Sequence, residues 1–221
     1  MRVSTPESRL SDAWAGDGWI DVSRPLSSQT PVWPGDRAFE LDQRSVDDLL
    51  VSAVSSTCHI GTHVDAPLHI RPSGIAVHEI PLGRLIGPAE VVRLPASCEL
   101  ALPQDLPLGW SPSYPKVLLR TDSHPVGQPI GEGFTGVSLD LVHWFSDHGV
   151  VTVGIDTPSL DRFSSTDLES HNALADRGMT WIEGLNLDGV GAGLYLFIAL
   201  PMPLRGTEAA PVRALVRRLA E

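Results

Sequence analysis

Three histidines and an aspartate fall close together in one short stretch of the chain. His59, His63, Asp65 and His69 all occupy odd-numbered positions. In an extended segment successive side chains point to opposite faces, so these four would share one face and the apolar residues between them the other. Imidazole nitrogens and a carboxylate suit zinc or another borderline divalent ion, and the two oxygens of one carboxylate can bridge a pair of ions. The spacing therefore predicts a metal site.

A helix is the competing local geometry, because His59 and His63 lie four residues apart. It does not suit the rest of the stretch, since Gly61 is a poor helix former and Pro67 would interrupt the backbone hydrogen bonds. A solvated loop without chemistry is also disfavoured, because apolar residues at alternate positions indicate a buried segment, where unpaired polar groups are costly. We therefore predict an extended, kinked segment.

The elements around this stretch are predicted to alternate between strands and helices. Strands are predicted at residues 19–23, 51–57, 89–94, 116–120, 150–155, 179–183 and 194–200. A helix over 139–148 with Ser138 as its N-cap separates two of them, and this order is typical of a parallel crossover unit. Thr166 and Glu169 form a capping box for a second helix, over about 167–177. The order of elements predicts an α/β fold.

Two segments are less regular in sequence. Residues 96–115 are rich in proline and are predicted to be loop. Residues 211–219 have helical spacing of their apolar side chains but could equally form a closing strand.

Other residues outside the stretch could take part in chemistry. Trp33 lies between Pro31 and Pro34 in a stiff turn, where its indole is either a core or lid aromatic or a stacking surface for a planar ligand. Asp156 follows a predicted strand, at the edge where α/β sheets tend to place active sites. By themselves, His171 on the second predicted helix and Glu183 at the end of a strand would not be singled out.

The composition describes one acidic domain. A chain of 221 residues with 42% hydrophobic residues can bury a substantial core, and we predict a single domain over residues 18–221 after a polar, flexible tail over 1–17. The net charge of -11 disfavours nucleic acid and anionic membranes as partners. The apolar segment 194–204 is too short to span a bilayer. Two cysteines and an N-terminus without a signal-peptide core predict a cytoplasmic location.

The stretch also resembles a known signature. The sequence His59-x-Gly61-Thr62-His63-x-Asp65-x-Pro67-x-His69 is similar to that of the metal-dependent cyclase family, which includes bacterial kynurenine formamidases and isatin hydrolases. The similarity to the formamidases extends from about residue 19 to 220. It includes the blocks 21–26, 30–36 and 154–161 and the pair formed by His171 and Glu183.

The resemblance implies a single-domain α/β fold of the swivelling β/β/α type, a mixed sheet with packed helices, in a chain that forms homodimers. It implies a site for two divalent ions, zinc or else manganese. The implied ligands of one ion are His59, His63 and Asp65, and those of the other are Asp65, His171 and Glu183.

The implied activity is hydrolysis of N-formyl-L-kynurenine to L-kynurenine and formate, by water whose pKa the ions lower from about 15.7 to roughly 7. His69 would be the general acid and base, and Trp33 would contact the substrate. An alternative with the same site is hydrolysis of a cyclic amide or ester such as isatin. A non-catalytic metal-binding protein on the same scaffold is disfavoured, because no implied ligand is missing.

Overall fold

Twelve strands and two α-helices make up the regular structure of residues 18–95 and 98–219, the parts of the chain that this computed structural model describes. The strands are β1 (Trp19–Asp21), β2 (Glu40–Val46), β3 (Leu49–Ser55), β4 (His63–Asp65), β5 (Ile86–Arg93), β6 (Leu100–Ala101), β7 (Lys116–Arg120), β8 (Gly136–Val137), β9 (Thr152–Ile155), β10 (Thr180–Glu183), β11 (Gly193–Pro201) and β12 (Ala209–Arg218). The helices are α1 (Leu139–Asp147) and α2 (Glu169–Asp176). The predicted tail over 1–17 lies outside the described residues.

Eight of the strands form one mixed sheet that closes on itself. Its order is β1-β12-β11-β5-β7-β9-β10-β4, and β12 also pairs with β4. The strands β5, β7, β9 and β10 run parallel, whereas β4, β11 and β12 pair antiparallel with their neighbours. The fold is therefore α/β with a mixed sheet, as predicted, and the sheet is closed rather than open.

Alternating side chains of these strands fill two separate cores. Leu118 and Ile182 belong to a cluster of residues from strands and loops inside the closed sheet. Their neighbours Leu119 and Trp181 belong to a second cluster, in which the sheet packs against α1 and α2. Burial on both faces explains why the parallel strands read as continuous apolar runs in the sequence. The space between the sheet and α2 is the part of the fold that holds the candidate site.

The crossover unit forms as predicted, with β7 and β9 parallel on either side of α1. Ser138 caps α1, since its side chain accepts a hydrogen bond from the backbone N–H of Leu141. The predicted capping box of the second helix is wrong. Helix α2 begins after Leu168, and its first-turn N–H groups at Ser170 and His171 donate to the carboxylate of Asp161, which belongs to a preceding loop.

The ambiguous C-terminal segment is a strand. Residues 209–218 form β12, which pairs with β11 along one edge and with both β1 and β4 along the other. The backbone hydrogen bonds to these three strands favour the strand over the helix that the spacing of the apolar residues would also allow. A helix at this position would leave the sheet open. The loop predicted over 96–115 contains the short strand β6, which pairs with β8 outside the main sheet.

The strand that precedes the histidine-rich stretch belongs to a separate hairpin. A strand was predicted over 51–57, and the corresponding β3 pairs only with β2 among the described residues. All residues of this hairpin's strands are exposed except Ser55 at its end. In the described part of the chain, no helix has the length and hydrophobicity needed to cross a membrane.

Gly184 lets the end of β10 lie directly against the histidine-rich stretch. Its φ is +66°, and a β-carbon there would lie 2.1 Å from the carbonyl oxygen of Gly61. The Thr62 hydroxyl donates to the Gly184 carbonyl across the same contact, at 2.6 Å. A side chain at this position would therefore push the two segments apart.

We predict that Gly184→Ala is much more destabilising than Gly178→Ala. Gly178 also has a positive φ, +61°, but a β-carbon there meets nothing within 4 Å. The control should cost about 1 kcal/mol for its backbone conformation alone. Gly184→Ala should cost at least about 2 kcal/mol more, because the clash is with backbone. Urea unfolding of both variants measures the difference, and equal costs would show that the contact is not tight.

Candidate metal centre

Strand pairing brings three of the predicted residues onto one face. In the antiparallel pair of β4 and β10, His63 lies opposite Glu183 and Asp65 lies opposite Trp181. Directly opposed residues of two strands point to the same side of a sheet, so all four side chains face α2. Val64, which lies between His63 and Asp65 on β4, points into the core inside the closed sheet.

The other two histidines of the stretch reach this face through bends. Only residues 63–65 are in a strand, whereas His69 lies in a 3₁₀ turn over Pro67–His69. Before the strand, the chain bends at Gly61, whose φ is +58°. The segment is therefore kinked, as predicted, but it is extended as a strand only over residues 63–65, and His59 and His69 lie outside that strand. Their rings nevertheless meet, with centroids 4.4 Å apart.

His171 comes from α2, which packs over the same face. Its Nε2 lies 3.2 Å from Oε1 of Glu183 and 4.0 Å from Oδ2 of Asp65. The structure thus brings together the histidines and carboxylates that the resemblance singled out: His59, His63, Asp65, His69, His171 and Glu183.

The two oxygens of Asp65 face different histidines. Oδ1 lies 3.1 Å from Nδ1 of His59 and 3.5 Å from Nε2 of His63, whereas Oδ2 is on the side of His171. Glu183 also lies between two rings, with Oε2 3.3 Å from His63 and Oε1 3.2 Å from His171. Each carboxylate therefore stands between imidazoles, as a bridging ligand would.

Each histidine that faces Asp65 or Glu183 has its second ring nitrogen next to an acceptor on the outside. Nε2 of His59 lies 3.3 Å from Oε1 of Glu208, Nδ1 of His63 lies 3.3 Å from the Gly61 carbonyl, and Nδ1 of His171 lies 2.6 Å from Asp161. Metal-binding histidines typically donate their other N–H in this way, which holds the ring and leaves a lone pair toward the ion.

Buried atoms without hydrogen-bond partners lie at the centre of the cluster. Nε2 of His63 and Oδ1 of Asp65 have none among the described residues. Both side chains are almost completely buried, and a buried polar atom left unpaired costs about 1–3 kcal/mol. Two such atoms facing one another across a cluster of nitrogen and oxygen donors fit a divalent ion, which would use both as ligands.

Electrostatics separate His69 from the other histidines. Burial alone would lower the pKa of His171, but the hydrogen bonds to Asp161 and Glu183 outweigh it and raise the pKa to about 10. Burial would likewise lower the pKa of His59, but the negative charges of Asp65, Glu183 and Glu208 outweigh it and raise the pKa to about 9. For His69, burial prevails and lowers the pKa, and the charges of His59 and His171 act in the same direction. His69 is therefore neutral near pH 7.

The carboxylates are held in their charged form. Burial would raise the pKa of Asp65 and of Glu183, but the surrounding histidines lower both. Asp65 also accepts a hydrogen bond from Nε1–H of Trp181 at 3.0 Å, and Glu183 accepts one from the backbone N–H of Leu160 at 2.8 Å. The site thus contains two buried negative charges at the point where the imidazole nitrogens converge.

Sequence reasoning missed the outer partners of these groups. Asp161 was noted only as the end of a similar block, yet it binds the ring of His171 and caps α2. Glu208 and Trp181 carried no signal, because their roles depend on the pairing of β4 with β12 and β10. Asp156, in contrast, serves the fold: its carboxylate accepts hydrogen bonds from the N–H groups of Thr121 and Asp122.

Trp33 is distant in sequence from these residues, but in the structure it lies near the loop that contains Asp161. Its half-buried ring packs against Phe163, with centroids 5.1 Å apart and planes tilted by 41°. Phe163 follows Asp161 by two residues. The aromatic pair therefore joins the proline-rich turn to the loop that orients His171.

Comparison with known proteins found relatives that match most of the chain. The Cyclase family model matches residues 20–162. A kynurenine formamidase from Salinibacter ruber is 39% identical over 204 residues, covering 90% of this chain and 96% of that protein. The kynurenine formamidase of Bordetella pertussis is 37% identical, covering 90% of this chain and 98% of that protein.

Solved structures show the same fold. A protein from Bacillus stearothermophilus described as a "predicted metal-dependent hydrolase" superimposes with a TM-score of 0.77 at 30% identity, over 90% of this chain and 97% of its own. Isatin hydrolase A from Labrenzia aggregata has a TM-score of 0.78 over 98% of this chain and 100% of its own, and at 21% identity this likeness concerns the fold alone. By its sequence and by its fold, the chain belongs to the cyclase family.

Proposed function

We propose that this protein is a kynurenine formamidase, a metal-dependent hydrolase that converts N-formyl-L-kynurenine and water to L-kynurenine and formate. The observation that carries the chemistry is the buried cluster in which imidazole nitrogens from three elements converge on Asp65 and Glu183. The choice of substrate is supported by the kynurenine formamidases that are 36–39% identical over 90% of this chain.

The proposed ligand sets are those that the resemblance to the cyclase family implies. His59, His63 and Asp65 would hold one divalent ion, and Asp65, His171 and Glu183 would hold the second, with Asp65 between the two. Zinc is the proposed ion and manganese the alternative, since both accept nitrogen and oxygen ligands. When bound, such ions lower the pKa of water to about 7 and polarise a carbonyl group.

His69 is proposed to move the protons. It is half-buried beside His59 and His171, and no hydrogen bond occupies its ring nitrogens among the described residues. Because its lowered pKa keeps the imidazole neutral, it can accept a proton from the attacking water. It can then deliver that proton to the aniline nitrogen as the C–N bond of the formamide breaks.

Trp33 is proposed to contact the aromatic ring of the substrate. Pro31 and Pro34 stiffen its turn, and the Phe163 ring supports one side of the indole. A stacking surface that is already ordered loses little entropy when a planar ligand binds.

The chain is also proposed to form a homodimer through the β2–β3 hairpin. Its strands expose large apolar side chains: Leu41, Val46, Leu49, Leu50, Val51 and Val54. An isolated two-stranded hairpin is only marginally stable in water, so a second copy of the chain is the proposed cover.

Cys58 and Cys98 are both free thiols, and the cytoplasmic location stays a prediction.

The metal assignment predicts different losses for two substitutions. Asp65→Ala should abolish binding of both ions, because each proposed set includes this carboxylate. His69→Ala should keep two ions per chain but reduce kcat by roughly 10²- to 10⁴-fold, the usual contribution of a general acid or base. Mass spectrometry of the metal content tests both, with exposed His78→Ala as the control. Loss of an ion from His69→Ala would identify His69 as a ligand.

The substrate assignment predicts an order of rates. N-formylkynurenine should be hydrolysed faster than N-acetylkynurenine and faster than isatin. Trp33→Ala should lower kcat/KM by roughly tenfold, since aromatic contacts contribute about 0.5–1.5 kcal/mol beyond buried area. The control is Trp19→Ala, which removes the indole on β1 that packs under the guanidinium of Arg217. Faster turnover of isatin would overturn the formamidase assignment and leave the metal site intact.

The hairpin proposal predicts that charge on its apolar surface separates the subunits. Leu50→Glu combined with Val54→Glu should shift the molar mass in sedimentation equilibrium from that of two chains to that of one. Gln104→Glu combined with Ser111→Glu adds the same charge at exposed positions outside the hairpin and should remain dimeric. A wild-type chain that is monomeric at micromolar concentration, or a dimer indifferent to the double substitution, would contradict the proposal.

A further inference from the structure

The outer carboxylates of the two halves of the centre are not equivalent. Asp161 lies 2.6 Å from Nδ1 of His171 and is 7% exposed. Glu208 lies 3.3 Å from Nε2 of His59 and is 39% exposed. One histidine is therefore held by a short, buried contact and the other by a longer contact that water can reach.

The histidines themselves differ in the same direction. The side chains of His63 and His171 are each 4% exposed, whereas that of His59 is 20% exposed. His59 also lies outside β4, before the bend at Gly61, whereas His171 lies on α2. The half of the centre that includes His59 is thus open to solvent and held by less regular structure.

The backbone of Glu208 is fixed even though its side chain is exposed. Its carbonyl accepts a hydrogen bond from the N–H of Ala66 at 2.8 Å, and the next residue, Ala209, pairs with Asp65. The closure of the sheet therefore places Glu208 beside His59. Its carboxylate pairs with the ring of His59.

We propose that the two ions bind with unequal affinity and that Glu208 is the positioning residue for the weaker, exchangeable one. This inference rests on the two-ion site of the proposed function. A carboxylate behind a histidine ligand keeps the other nitrogen unprotonated and aimed at the ion, and such partners change metal affinity by about 10- to 100-fold. A contact that is exposed contributes less than a buried one, because water competes for it. The ion between His171, Glu183 and Asp65 therefore binds first.

A consequence is a stable state with one ion. At limiting metal, the chain would be loaded on the His171 side and empty on the His59 side. The second ion, and with it the complete centre, would follow the supply of free metal in the surroundings. Glu208 would set the metal concentration at which that happens.

Calorimetric titration of the metal-free chain with Mn²⁺ tests this inference. Wild-type protein should bind two ions in separate steps. Glu208→Gln keeps an acceptor near His59 but removes the charge, so it should weaken the second step by about tenfold or more and leave the first unchanged. Asp161→Asn, at the other outer carboxylate, should weaken the first step instead. Glu132→Gln, on an exposed loop, should alter neither.

Conservative rescue and fold controls complete the experiment. Glu208→Asp retains the charge and should recover part of the second step, whereas a merely structural role would not distinguish it from Glu208→Gln. Circular dichroism of each metal-free variant shows whether it is folded. Two ions that bind equally, or two steps that Glu208→Gln weakens alike, would overturn the inference and leave the proposed function standing. One ion per chain would overturn the two-ion site itself.

Discussion

The pairing of β4 along both of its edges is the constraint on which the candidate site depends. This strand has only three residues, yet β10 lies against one edge and β12 against the other. The two neighbours put Trp181 on one side of Asp65 and Ala209 on the other. Because a strand hydrogen-bonded on both edges cannot shift its register without moving both neighbours, the position of the Asp65 carboxylate is set by the closed sheet.

Burying two carboxylates at this position would be unfavourable without compensation. Asp65 and Glu183 are almost completely removed from water, and an uncompensated buried charge is among the most destabilising features that a fold can contain. Part of the compensation comes from the N–H groups of Trp181 and Leu160, and the rest from imidazoles. The cluster is therefore arranged to hold positive charge, which in the proposed function is supplied by divalent ions.

The outer contacts link this chemistry to the stability of the fold. Asp161 accepts hydrogen bonds from the first turn of α2 and from the ring of His171 at once, so the same carboxylate stabilises the helix and orients the histidine. Glu208 contacts the ring of His59 from a position directly before β12, where the sheet closes. The positions of these histidines thus depend on elements that are distant in sequence.

The sequence by itself determined the residue types, the α/β class and the crossover unit, because these follow from local spacing: alternate apolar residues for strands, Ser138 as an N-cap, and the odd-numbered donors from His59 to His69. With the resemblance, it also singled out His171 and Glu183. Only the tertiary structure decided that residues 209–218 are a strand, that Asp161 rather than Thr166 caps α2, and that His59 and His69 reach the site through bends. Each of these depends on contacts between segments far apart in the chain, whose energies no local pattern contains.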